Sequence, residues 1–168
     1  MLKFWRTCST RWLFLANTLA VTCLLGFAIF LQKVLHEDPC PLCMVQRYTF
    51  LTIGVISLIA ALHGPKKTGT YFYGSLATLF SLAGIGVSSR HIWLQHLPKD
   101  QVPACGPGLD YMLDHFPMAD VLKELVHGSG ECAARGWDFL GLNIPEWALV
   151  WFSLIGIWSV LIMLRKQH

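Results

Sequence analysis

Two cysteines separated by two residues, Cys40-Pro41-Leu42-Cys43, open the chemistry this chain offers. A C-x-x-C pair closes a very small disulfide ring. Such a ring removes little chain entropy and so adds little stability, which suits a redox role better than a structural one. Pro39 and Pro41 interrupt regular structure, and a hydrophobic helix begins just after them. Cys43 is therefore expected near a helix N-terminus, where the dipole and free N–H groups stabilise a thiolate. Arg47 follows at i+4 and shares that helix face. A guanidinium beside a thiol favours its anionic form. Two further cysteines, Cys105 and Cys132, lie 27 positions apart in a later segment. Cys105, within P-A-C-G-P, reads as exposed and open to attack by another protein's thiolate. Cys132 follows the flexible Gly128–Ser129–Gly130 run and reads as mobile. His91 is placed at a similar depth to Cys40 and Arg47.

The elements that must hold these groups are set by where charge is excluded. Only 14% of the 168 residues are charged and 54% are hydrophobic, with a mean hydropathy of +0.50. That argues against a soluble enzyme, a disordered chain or a nucleic-acid binder. Residues 12–32, 71–89 and 147–164 carry no Asp, Glu, Lys or Arg, and residues 44–63 carry only Arg47. Each stretch is long enough to cross a bilayer core of about 30 Å as a helix. The first has a basic flank like a signal peptide. Its apolar core is too long, however, and no A-x-A site follows, so it reads as a retained helix. The expected fold is an all-α integral membrane protein. It is an antiparallel four-helix transmembrane bundle forming one membrane domain over 1–168, with a long periplasmic loop that carries a short amphipathic helix. Small residues along the third span (Gly74, Ser75, Ala77, Ser81, Ala83, Gly84, Gly86 and Ser88) would let helices approach closely.

Orientation follows from lysine and arginine. The termini and the 64–70 turn hold seven basic residues and no acid, whereas the rest of the chain holds six basic residues, Arg47 within the second span included, and all ten acids. Both termini are thus expected in the cytoplasm, with 33–43 and 90–146 facing outward. In a bacterium the outer side is the periplasm, an oxidising compartment where disulfides persist. Cys40, Cys43, Cys105 and Cys132 all fall there. The simplest of their three pairings is Cys40–Cys43 with Cys105–Cys132. Within the second loop, Met118, Val121, Leu122, Leu125 and Val126 recur at helical spacing and predict an amphipathic helix at the membrane surface.

Of three other readings of the cysteines, two remain at this point. A c-type haem site needs C-x-x-C-H, and residue 44 is Met. A four-cysteine metal site is open to the outward thiols, although the loop pair lacks C-x-x-C spacing. Two inert structural disulfides on a membrane scaffold are also open. Cys8 and Cys23 have no expected role.

Several ordered features resemble the DsbB family of membrane disulfide-forming oxidoreductases. They are C-P-L-C-M-V-Q-R at 40–47, G-V-S-S-R-H at 86–91, the lone Cys105, S-G-E-C-A at 129–133 and W-D-F-L-G-L-N-I-P-E-W at 137–147. The resemblance implies a quinone-dependent oxidoreductase of the bacterial inner membrane. Such a protein reoxidises DsbA, the periplasmic dithiol oxidase, and passes two electrons to the membrane quinone pool. The implied cofactor is ubiquinone, with menaquinone under anaerobic conditions. By position, Cys40 and Cys43 match the pair next to quinone, and Cys105 and Cys132 the pair that meets DsbA. Arg47 and His91, with Cys43, match residues close to the quinone ring. Gln46 stands where some members have an acid, and Ile144 where some have Met. A paralogue serving its own DsbA-like partner would carry the same pattern.

Overall fold

The computed structural model describes residues 9–34, 39–98, 111, 114–118, 120, 130–133 and 136–165. Cys105 and most of the amphipathic segment 118–126 lie outside them. Four long helices dominate: α1 Thr10–Val34, α2 Pro41–His63, α3 Lys67–Gln95 and α4 Ile144–Leu164. All four are long and apolar enough to cross a membrane. Each contains its apolar stretch and extends beyond it at one or both ends, because a helix continues into the interface after hydrocarbon ends. A 3-10 turn, Gly130–Ala133, and a two-stranded hairpin, β1 Asp138–Phe139 and β2 Leu142–Asn143, precede α4.

The helix starts explain where the chain re-enters the bundle. Cys40 caps α2 with its own sulfur, which accepts the Cys43 backbone N–H at 3.4 Å, and Pro41 follows in the first turn. Asn143 caps α4 through a capping box with Glu146. Its side-chain amide also donates to Gln95 Oε1, tying the hairpin to the end of α3. Glu146 therefore works as a cap at the edge of the span.

Packing runs in chain order. Helix α2 lies against α1 and α3, and α3 lies against α4. The small residues of α3 sort by period. Gly74, Ala77, Ser81, Gly84 and Ser88 form one buried stripe that His91 and Leu94 continue, while Ser75, Ala83 and Gly86 are exposed or only partly buried. The expectation that all eight mediate close approach is thus narrowed to five. At Gly84 an added Cβ would lie 2.5 Å from the Phe152 ring. That ring stacks on Phe50 at 3.8 Å and 5°. Gly84→Ala should destabilise by about 1–3 kcal/mol through overpacking, visible as earlier thermal unfolding in detergent.

Helices α1 and α4 meet only slightly. At the His63 end of α2 they are joined through Leu13, Phe14, Ala60 and Ile162, and Trp158 donates to the Leu13 carbonyl at 3.3 Å. A buried Asn17–Ser57 hydrogen bond of 2.9 Å pins α1 to α2. Towards the Cys40 end, α1 and α4 part, and the gap between them becomes a cavity.

Candidate thiol and cavity site

The cavity has a volume of about 600 Å³. Helix α1 contributes Ala20, Cys23, Leu24 and Phe27, among others. Helix α2 contributes Cys43, Gln46, Arg47 and Phe50, and α4 contributes Trp147, Ala148 and Trp151. Its walls are apolar and aromatic, with one permanent cation. Ligand sites commonly have this character: apolar walls and a few placed polar groups.

Arg47 is held from across the bundle. Its Nη1 donates to Gln32 Oε1 at 2.6 Å and its Nη2 to the Ala28 carbonyl at 3.1 Å. These bonds use two of the five guanidinium N–H groups, so donors remain for a group in the cavity. A charge at this depth is costly unless bonded, and α1 supplies the bonds.

The two cysteines of the C-P-L-C turn divide their surroundings. Their sulfurs are 3.2 Å apart and both are free thiols. Cys43 lines the cavity with Arg47. Cys40 faces the other way, with its sulfur 3.7 Å from His91 Nε2. The free N–H of the helix start goes to Cys40, not to Cys43 as the sequence suggested. His91 is 2% exposed, and its Nδ1 is 3.5 Å from the Gln46 amide nitrogen. It does not line the cavity. Gln46, which does, stands between them.

Cys132 is the largest departure from expectation. It is fully buried against Leu42 and Leu94. Its sulfur, the Cys40 sulfur and a His91 ring nitrogen all lie within 4.8 Å of one another. The sequence suggested a mobile Cys132, but the 3-10 turn Gly130–Ala133 that carries it packs onto α2 and α3. A hydrogen bond to Cys40 and burial both push the Cys132 thiol well above its ordinary range.

A sequence model of the family described as "Disulfide bond formation protein DsbB" matches residues 10–162. A "Disulfide bond formation protein B" of Saccharophagus degradans is 55% identical over 140 residues, covering 83% of this chain and 84% of its own. One from Nitrosococcus oceani is 48% identical over 152 residues, with 90% of each chain covered. The chain belongs to the DsbB family. It is therefore a helical, multi-pass membrane protein of disulfide bond formation and a disulfide-generating oxidoreductase.

In this DsbB-family chain the hairpin before α4 roofs the cavity, a role composition and spacing did not suggest. Trp137 meets Phe27 of α1 edge-on at 5.6 Å and stacks on Phe139 at 5.6 Å. Phe139 leans on Trp147 of α4, whose Nε1 donates to the Phe139 carbonyl at 3.1 Å. The aromatic hairpin thus bridges α1 and α4 where they diverge. Its two-residue loop, Leu140–Gly141, has φ of 56° and 80°, the positive pair that a tight hairpin turn demands. Leu140 is unusual at such a position, where Asn or Gly is favoured. The signal available in advance was the density of tryptophan and phenylalanine near a span boundary.

Proposed function

We propose that this chain reoxidises a DsbA-like periplasmic dithiol oxidase and delivers two electrons to membrane quinone, in the bacterial inner membrane with both termini cytoplasmic. The observation that carries the reading is the division of the C-P-L-C turn. One sulfur faces a second thiol, and the other faces an apolar cavity beside an arginine. The cavity's aromatic walls and Arg47 would hold a flat quinone ring, Arg47 offering donors to a carbonyl oxygen, with the α1–α4 gap open to an isoprenoid tail. When bound, the quinone supplies the oxidising power by accepting two electrons and two protons.

The thiol steps assign Cys105, which lies outside the described residues, as the partner's point of attack. The partner's thiolate attacks Cys105 in a Cys105–Cys132 disulfide and displaces Cys132. The partner's second thiolate then closes the partner's own disulfide and leaves Cys105 and Cys132 as a dithiol. Cys132, after losing its proton, attacks Cys40 of the Cys40–Cys43 disulfide, and Cys43 leaves as a thiolate into the cavity beside Arg47. Cys105 next attacks Cys132, which restores the loop disulfide and frees Cys40. Closing the Cys40–Cys43 disulfide again releases two electrons. His91 and Gln46 lie behind the dithiol and orient Cys40 towards Cys132.

The test is quinone reduction by purified protein with a reduced DsbA-like partner, comparing ubiquinone and menaquinone analogues. Catalytic loss of quinone absorbance matched by partner disulfide is expected. Absence of turnover with both quinones overturns the reading.

A further inference from the structure

We propose that the fully reduced protein holds one soft divalent cation of the zinc class on Cys40, Cys132 and His91, and that the bound ion blocks thiol exchange. The three ligand atoms already lie within 4.8 Å of one another in a largely buried cluster. A tetrahedral zinc site with bonds of about 2.3 Å to sulfur and 2.0–2.1 Å to nitrogen separates sulfur from nitrogen by about 3.6 Å. Cys40 Sγ and His91 Nε2 stand 3.7 Å apart. The Cys43 backbone N–H bonded to Cys40 Sγ at 3.4 Å fixes where that sulfur sits.

Ligand orientation is also provided. Gln46 sits 3.5 Å from His91 Nδ1. Turning its amide by half a rotation places the carbonyl oxygen on Nδ1, puts the ring proton there and leaves the Nε2 lone pair facing the sulfurs. Charge balances as well. Binding releases two thiol protons, and two thiolates with a neutral imidazole cancel the dication, so the cluster stays uncharged. Cys43 Sγ, 3.2 Å from Cys40 Sγ, is within reach of the fourth corner.

An ion on Cys40 and Cys132 occupies both sulfurs that must exchange. Binding stands on the geometry alone, while its effect on turnover rests on the thiol–quinone reading above. Oxidation of Cys40 to Cys43 removes a ligand, so only the reduced protein binds.

The experiment is anaerobic titration of the full chain in detergent, reduced with a phosphine, using cobalt(II) as the probe. One cobalt per chain is expected, with strong tetrahedral visible bands and a sulfur-to-cobalt band that zinc abolishes. His91→Gln should weaken cobalt binding by about 10-fold or more, and Cys8→Ser should leave it unchanged. The oxidised wild-type protein, which needs no substitution, should give no such spectrum. A weak octahedral spectrum overturns the inference, as does equal binding by the oxidised protein or by a folded His91→Gln variant. Normal quinone turnover by a protein that binds no cobalt overturns this inference alone and leaves the thiol–quinone reading standing.

Discussion

Cys43→Ser should lower quinone reduction driven by a reduced DsbA-like partner by on the order of 10³-fold or more, the scale seen when a covalent nucleophile is removed. Cys43 is the sulfur of the C-P-L-C turn that lines the cavity, while Cys40 points to His91 and Cys132. A serine cannot form the disulfide with Cys40, so no two-electron release towards the cavity remains. The earlier exchange does not need Cys43. Partner disulfide should still form in a single turnover, leaving Cys105 and Cys132 as a dithiol beside a lone Cys40 thiol. Thiol trapping with quenched-flow sampling separates the two stages. Unchanged quinone reduction in a folded Cys43→Ser protein would remove Cys43 from the chemistry.

Arg47→Ala should reduce quinone turnover by about 10²–10³-fold, the range for losing one donor to developing oxygen charge. The first exchange at Cys105 should stay near its normal rate. The guanidinium is fixed by Gln32 and the Ala28 carbonyl, so its position does not depend on the ligand. Arg47→Lys keeps the charge but cannot hold both α1 acceptors in the same planar geometry, so only partial recovery is expected. Steady-state rates over a range of quinone concentrations provide the check. A loss of Cys105 exchange equal to the loss of quinone use would make Arg47 a structural residue.

The spans were legible because hydrocarbon excludes charge over whole helices, a signal that survives without any tertiary information. The helix start at Cys40 was legible from Pro39, Pro41 and the apolar run behind them. What stayed hidden depends on which neighbour a side chain meets. Cys40 and Cys43 are three residues apart, yet one caps its helix and faces Cys132 while the other faces the cavity. Spacing alone placed the dipole on Cys43. Cys132 follows two glycines and read as mobile, but it is buried because its turn packs onto α2 and α3. The hairpin 138–143 has strands of two residues, too short for any alternation to register. Its aromatic bridge from Phe27 to Trp147 exists only once α1 and α4 are side by side. The same holds for Cys23, which had no expected role and lines the cavity.

The central claim is that the Cys40–Cys43 pair hands its electrons to a quinone in the α1–α4 cavity. Its most direct measurement is a single anaerobic turnover of the fully reduced protein with one equivalent of quinone and no partner protein. Quinol is counted optically, and the remaining thiols are located by alkylation and peptide mass analysis. One Cys40–Cys43 disulfide per quinol is expected. Quinol formed while Cys40 and Cys43 both remain alkylatable, or no quinol at all, would contradict it.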